Sequence, residues 1–551
     1  MKQADPVNIA SHLAVMAAAH PSQPAVVVSK GRRAAVSSRY QVTTFAELDR
    51  LADAVAHGLT SIGVERGTRT VLMAPPSRNF FALTFALFKI GAVPVFVDPG
   101  MGIKNLGECL AEAEPHAFIG VPKAHAARLL FKWAKPTLKL RLRVDGWFPG
   151  LRSIEALASA HQSTFPCAET TADETAAILF TSGSTGVPKG AVYTHGIFDA
   201  QVRLLKKLYG IAPGEIDLAT FPLFGLFAPA LGMTSVVPKM DFSRPAQADP
   251  EEIIGAVHDR GCTTMFGSPA LLDRVGRYAE GKSILLPTLN RVITAGAPVS
   301  ALVLDRFSKL LRPDVEIVTP YGATEALPVA NIGSREILGK TREDTDSGAG
   351  VCVGRPAPEI EIRIIKITDE PVPEWSDSLR ADPGAVGEIV VKGPIVTREY
   401  FNRPDLTAKA KIRDSGGAVL HRMGDVGWLD REGRLWFCGR RTHRARTDQG
   451  VLFTDQCEPI FNRHPKVRRT ALVPVERNGK VRPVLCIELE QEHANADQNK
   501  IAEELKALGA EFPHTARIKH FLFHPRFPVD VRHNAKIFRE KLAEWAATKL
   551  P

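Results

Sequence analysis

Residues Ala176-Ala177-Ile178-Leu179-Phe180 run directly into Thr181-Ser182-Gly183-Ser184-Thr185-Gly186-Val187-Pro188-Lys189-Gly190, and this junction decides the fold class. A short apolar run of this kind reads as a buried strand. The loop behind it is built to meet an anion. Its glycines let backbone approach a ligand without a Cβ in the way. Its hydroxyls and amides can donate to phosphate oxygens, and Lys189 adds a charge. The spacing is not that of a Walker loop, because only Val187 and Pro188 separate Gly186 from the lysine. A flexible surface turn is the bland alternative, and a strand feeding the loop argues against it.

The same rhythm extends in both directions. Leu48, Leu51, Val55 and Leu59 fall at helical spacing between Thr43 and Gly63. Arg69 to Met73 reads as a strand, Asn79 to Ile90 as a helix ended by Gly91, and Ala92 to Val97 as the next strand. Downstream, Thr263 to Phe266, Val292 to Thr294 and Glu316 to Thr319 read as strands ending in small or polar residues. Strands alternating with helices predict an α/β fold with a largely parallel sheet, which places ligands at such strand ends.

Beyond about residue 350 the pattern changes. Ile360–Ile367 and Gly387–Lys392 alternate, and Gly424–Trp428 and Leu435–Cys438 add short strands around turns. This predicts an antiparallel, barrel-like subdomain over about 350–440. Residues 369–386 read as an exposed loop. The segment 441–551 is small and mixed, with strands at Thr470–Val475 and Pro483–Leu489 and helices at 495–507 and 537–548. The expected division is therefore 1–440 and 441–551.

The composition, 44% hydrophobic and 24% charged over 551 residues, excludes wholesale disorder. The net charge of +10 is compatible with anionic substrates, an acidic partner, a membrane surface or nucleic acid. No basic stripe interleaved with aromatics and no helix-turn-helix pattern accompanies it, so nucleic acid is not expected. Seven scattered cysteines without a CxxC predict packed, reduced thiols and a cytoplasmic protein. The N-terminus, with Asn8 or Ser11 before Leu13, Val15 and Met16, reads as a capped helix and not as a signal peptide. The uncharged run Leu218–Pro238 is broken by Pro222 and Pro229 and reads as a buried strand, loop and helix start.

The 181–190 loop resembles the phosphate loop of the adenylate-forming superfamily, which includes acyl-CoA synthetases, luciferases and peptide-synthetase adenylation domains. In that family it cradles the β- and γ-phosphates of ATP. Further segments resemble the family in the usual order. Tyr321-Gly322-Ala323-Thr324-Glu325 matches the next signature, which implies phosphate contact by Thr324 and Mg²⁺ binding by Glu325. Gly296-Ala297-Pro298 matches the segment packed on adenine, with Tyr321 and Gly322 beside it. Gly424-Asp425 matches the part whose aspartate accepts from both ribose hydroxyls, and Gly439-Arg440 the arginine before the hinge. The hinge itself, Arg441-Thr442-His443-Arg444, departs from the family's usual aspartate. Lys536 corresponds to the late lysine that joins carboxylate and α-phosphate during adenylation, with Ala535 where glycine is usual. The resemblance spans roughly residues 20–545. It implies two mixed sheets with helices, a barrel subdomain, a small mobile α+β C-terminal lid, and ATP and Mg²⁺ as cofactors.

A narrower likeness lies in Asp98-Pro99-Gly100-Met101-Gly102, Glu114-Pro115-His116 and Pro122-Lys123-Ala124-His125, and in Phe221-Pro222-Leu223-Phe224-Gly225-Leu226-Phe227. These are similar to the β-lactone synthetases of bacterial long-chain olefin biosynthesis; acyl-CoA synthetases often carry His near position 224. The likeness implies a 2-alkyl-3-hydroxy fatty acid, adenylated and then closed to a β-lactone, with a long-chain fatty acyl-CoA synthetase as the competing reading. Leu223, Phe224, Leu226, Phe227, Leu231 and Met233 are the candidate acyl-pocket walls. Implied partners are a thiolase-like condensing enzyme, a short-chain reductase and a β-lactone decarboxylase, with peripheral membrane contact compatible with the charge.

Overall fold

The computed structural model describes residues 6–181, 188–477, 479–529 and 537–550, except for the side chains of residues 99, 181 and 223. Two sheets dominate. The smaller, of seven strands, runs in the order Arg152–Ser153, Leu140–Arg143, Ala117–Gly120, Arg69–Met73, Val93–Val97, Thr175–Thr181 and Lys189–Thr194. All its neighbours are parallel except the last pair, where Thr181 faces Lys189 across an antiparallel register. The strand expected at Ala176–Phe180 is therefore a hairpin arm, and the glycine-rich loop connects its two strands.

The larger sheet has fourteen strands. Its parallel part ends at Glu316–Ala323, which turns back on Ala326–Gly333 in an antiparallel hairpin. Val351–Pro356 then joins this hairpin to the antiparallel strands Leu435–Arg440, Val419–Leu429, Gly387–Lys392 and Glu361–Ile365. The antiparallel region expected over 350–440 thus continues the large sheet edge to edge. Each sheet changes from parallel to antiparallel at a segment that the sequence marks out for chemistry, between Thr181 and Lys189 in one and at Thr324–Glu325 in the other.

Local chemistry accounts for the helices that frame these sheets. Phe45–Thr60 starts with a full capping box, Thr44 and Glu47 exchanging side-chain and backbone bonds. Arg78–Ile90 is capped by Ser77 and closed by Gly91 in the left-handed region. Lys89 joins the two, its buried ammonium donating to Asp49 at 2.7 Å and to Asp53 at 2.5 Å. Leu218–Pro238 differs from expectation in its middle: a helix, Pro222–Leu231, sits between the strands Ile216–Ala219 and Thr234–Val237. Pro222 occupies the first turn, where its missing N–H costs nothing, and Gly232 ends the helix. No described helix is long and apolar enough to cross a membrane. All seven cysteines are free thiols, and only Cys167 is exposed.

After Arg440 the chain forms a hairpin, Ala445–Thr447 with Gly450–Leu452, and a three-stranded sheet of Val467–Arg477, Lys480–Leu489 and His520–Phe523. Helices Thr454–Asn462, Gln498–Ala510 and Arg539–Ala547 pack on it. Where this part leaves the large sheet, Asp369 receives three guanidinium groups: Arg441 and Arg444, each at 3.1 Å, and Arg446. Beside them lies a pair of another kind. Arg422 and Glu388 are buried, 2.6 Å apart, and Arg422 also donates to the carbonyls of Thr368 and Glu370.

Candidate active site

Lys189 opens the strand Lys189–Thr194, with its ammonium 5.2 Å from the centre of the Tyr400 ring. Burial lowers its pKa, and the Glu325 carboxylate opposes that shift. Tyr400 reaches this place because the chain there adds to the strand's edge: Phe401 N–H donates to the Gly190 carbonyl at 2.7 Å. Thr181 contributes backbone to the hairpin; its side chain and all of Ser182, Gly183, Ser184, Thr185 and Gly186 lie outside the described residues.

Thr324 and Glu325 form the turn between Ala323 and Ala326, which pair across the hairpin. Four contacts fix this turn. Tyr193 Oη donates to the Thr324 carbonyl. The Thr397 amide and hydroxyl both donate to the Glu325 carbonyl, at 2.9 and 3.2 Å. Tyr400 Oη donates to Glu325 Oε1 at 2.6 Å. Lys411 stands behind them, buried, donating to the Thr397 carbonyl and hydroxyl, its ammonium 5.8 Å from the Tyr400 ring centre. Burial pulls Lys411 down to about 7 against the attraction of Glu325. One carboxylate thus sits among two lysines and a buried phenol, a setting that favours negative charge arriving from outside.

Asp425 lies on Val419–Leu429 and Arg440 on the neighbouring strand, directly paired in register. Arg440 Nη1 is 2.7 Å from Asp425 Oδ1, and Tyr321 Oη donates to Asp425 Oδ2 at 2.6 Å. Burial raises the Asp425 pKa, and Arg440 holds it down. A carboxylate offers about four acceptor positions, so two remain free for hydroxyl donors. Gly296 takes φ +95°, a left-handed conformation that suits glycine, where the strand Arg291–Ile293 gives way to Ala297 and Pro298. Gly322 cannot be replaced without movement, since a Cβ there would lie 2.6 Å from the Ala326 carbonyl oxygen.

These groups border one cavity of about 2120 Å³. Lys189, Tyr321, Gly322, Thr324 and Glu325 line it, together with Asp425 and Arg440. Gly296, Ala297 and Pro298 line another side. At the apolar end stand Phe224, Phe227, Leu231 and Met233. Phe224 stacks on Phe266 with centroids 4.3 Å apart, and Phe227 packs on Phe198. Leu226, also a candidate wall, belongs instead to the core beneath, and the Leu223 side chain lies outside the described residues. Helical spacing separates these fates, because neighbouring positions on Pro222–Leu231 face different sides.

Lys536 also lies outside the described residues. The chain on either side is placed: Val529 and Ile537 pair as a bridge, and Ile537 and Arg539 line the cavity. Arg539 binds buried Glu458 through both guanidinium nitrogens, and burial raises Glu458 to about 7. Tyr400, Lys411, Thr397 and Tyr193 were not among the residues singled out from the sequence. The one available signal was the tyrosine followed by Asn402-Arg403-Pro404, a turn signature just before a helix.

Residues 15–401 match the family model described as AMP-binding enzyme. An olefin beta-lactone synthetase from Xanthomonas campestris pv. campestris is 50% identical over 547 residues, covering 98% of this chain and 97% of the relative. One from Stenotrophomonas maltophilia is 49% identical over 555 residues and 99% of both chains. Among solved structures, the amide bond synthetase McbA from Marinactinospora thermotolerans shares the fold with a TM-score of 0.78, covering 98% of this chain and 99% of its own at 22% identity.

Proposed function

Because the chain belongs to the AMP-binding enzyme family, we propose that it adenylates a long-chain 2-alkyl-3-hydroxy fatty acid and closes the product to a β-lactone, releasing AMP and pyrophosphate. The protein is an ATP-dependent adenylate-forming enzyme. The observation that carries the substrate reading is identity near one half, from end to end, with two olefin beta-lactone synthetases. The cavity supports it by size. At about 2120 Å³ it exceeds the roughly 300–1,000 Å³ of an ordinary small-molecule pocket, leaving space for alkyl chains beside a nucleotide.

In this reading, Thr181 to Gly186 and Lys189 hold the β- and γ-phosphates, and Thr324 contacts phosphate. Asp425 accepts from the ribose hydroxyls while Tyr321 and Arg440 keep its carboxylate in place. Gly296, Ala297, Pro298 and Gly322 give adenine a flat approach. The Glu325 carboxylate fits Mg²⁺, an ion often held by one or two carboxylates together with substrate phosphates. Bound Mg²⁺ would neutralise charge on the phosphate oxygens.

The substrate carboxylate attacks the α-phosphorus, the bond to pyrophosphate breaks, and an acyl-adenylate forms. Positive charge at Lys189 and Lys536 counters the charge spread over the phosphoryl oxygens. The 3-hydroxyl oxygen then attacks the acyl carbon, loses its proton, and AMP leaves. Tethering holds that hydroxyl beside the carbonyl, so its effective concentration is high. Phe224, Phe227, Met233 and Leu223 wall the acyl end. A strained, lipophilic lactone favours direct handover to a decarboxylase, with a short-chain reductase supplying the hydroxy acid. In this reading the enzyme works in the cytoplasm.

Product identification tests the reading. With ATP, Mg²⁺ and a 2-alkyl-3-hydroxy acid, mass spectrometry should show a β-lactone without coenzyme A. The analogue lacking the 3-hydroxyl should be adenylated and stall, since no internal nucleophile remains. A coenzyme-A-dependent thioester as the main product, with no lactone, would establish an acyl-CoA synthetase instead.

Tyr400→Phe separately tests the metal site. Removing a hydrogen bond to a charged group costs about 1.5–3 kcal/mol, so adenylation should fall about tenfold or more at low Mg²⁺. Part of the loss should return at high Mg²⁺. A variant with unchanged rate and unchanged Mg²⁺ dependence removes Tyr400 from the positioning of Glu325.

A further inference from the structure

One stretch of the chain is strongly basic. Between Glu114 and Asp145 there are seven Lys and Arg residues and no carboxylate. Arg128 is buried against Phe118, and Arg143 is half-buried, bonded to the carbonyls of Leu151 and Gly146. Lys132, Lys135, Lys139 and Arg141 are exposed and form no ion pair among the described residues.

Large apolar side chains stand among these charges. Leu129, Leu130 and Phe131 are 56%, 73% and 42% exposed at the end of the helix Pro122–Leu130, and Trp147 is 74% exposed in a nearby turn. The turn packs on the same helix, with Phe148 5.6 Å from His125, ring centre to ring centre, one helical turn before Leu129. Phe131 stacks on buried Trp133, so its orientation is fixed although its edge is open. Four large exposed apolar groups on neighbouring segments are more than scattered surface residues require.

The other end of the helix borders the cavity. Val121 and Lys123 line it together with Met73, Ala74 and Phe242. A nine-residue helix is roughly 13 Å long, so Leu129, Leu130 and Phe131 lie one short helix from the cavity wall, while the Trp147 turn sits at the wall's end of the helix, with Gly146 against Pro122.

The geometry points to a docking face for an anionic lipid surface, with Leu129, Leu130, Phe131 and Trp147 entering the headgroup boundary and the surrounding lysines meeting lipid phosphates. Apolar residues flanked in sequence by cations that form no ion pair among the described residues match a layer that is anionic outside and hydrocarbon beneath. An indole suits that boundary because one end is apolar and the other polar. A protein partner would have to supply an acidic face and an apolar patch in the same register. Docked in this way, the helix carries the cavity wall close to the lipid from which a long-chain acid would come.

The test is vesicle flotation of the full chain, which reads binding without turnover and is therefore independent of the product assignment. Wild type should float with vesicles containing about 30% phosphatidylglycerol, remain below with pure phosphatidylcholine, and detach as salt rises. Two double variants divide the contributions: Leu130→Ser with Trp147→Ser, and Lys132→Glu with Lys135→Glu. Each should lose about tenfold or more of the bound fraction, while melting temperature and pyrophosphate exchange with a short, water-soluble hydroxy acid stay at wild-type values. No flotation of wild type with either vesicle, as a protein-docking face would give, overturns the proposal. So does undiminished binding by the Leu130/Trp147 variant, which would leave adsorption by charge without insertion.

Discussion

Lys536→Ala should reduce acyl-adenylate formation by about two to three orders of magnitude, the range seen when one preorganised group facing transition-state charge is removed. ATP and AMP affinity should change little, because a contact made mainly in the transition state affects turnover more than ground-state binding. The assignment draws support from the neighbours of this lysine. Ile537, the next residue, and Arg539 line the cavity, and the Val529–Ile537 bridge brings the two ends of the intervening segment together. Glu458 holds Arg539 through both nitrogens, so that guanidinium is already committed. Single-turnover pyrophosphate release measures the first half of the expectation and calorimetry with AMP the second. Wild-type single-turnover kinetics in the variant would falsify the role.

Glu388→Ala should destabilise the protein by about 3–5 kcal/mol, as loss of one partner from a buried ion pair does. Arg422 and Glu388 are 2% and 1% exposed, and the guanidinium also serves the Thr368 and Glu370 carbonyls. Without the carboxylate, a buried positive charge would remain with only carbonyl acceptors. A charge-free double variant, Glu388→Leu with Arg422→Met, should recover much of the loss, because apolar replacement of both partners removes the desolvation cost along with the attraction. Thermal melts of the three proteins make the comparison. If Glu388→Ala melts with wild type, the pair contributes no net stability and the carbonyls alone satisfy Arg422.

Local chemistry made much of this molecule legible in its sequence. Thr44 and Glu47 announce the helix Phe45–Thr60, and Gly91 ends Arg78–Ile90, because caps act over three or four residues. Strand Gly387–Lys392 is legible to the residue in the sequence, although its burial is nearly continuous and not alternating. Ala326–Gly333 was not read as a strand, since Pro328 and Gly333 are poor strand residues; pairing on both sides sustains it. The same limit applied at the site. Thr324, Glu325 and Asp425 sit in short motifs, whereas Tyr400 reaches Glu325 from 75 residues away. Lys411 reads as an ordinary surface lysine in a polar stretch, and only the packing of Thr397 and Tyr400 around it shows it to be buried. The helix in Pro222–Leu231 was hidden by its own prolines, one tolerated in the first turn and the other near the end.

The two ionic arrangements flanking Arg440 differ in what it costs to undo them. The Arg422–Glu388 side is dry and bidentate, and its rupture would damage the fold. On the other side Asp369 is half exposed and shared among Arg441, Arg444 and Arg446; the Arg446 contact is open to water and salt, whereas Arg444 is buried and Arg441 also lies 3.5 Å from Glu388. With one carboxylate for three guanidiniums, the exposed Arg446 can let go while the other two hold. A junction with one exchangeable contact can loosen there without losing the rest. Raising ionic strength should therefore loosen the Arg446 contact first, while leaving the large sheet that carries the site undisturbed.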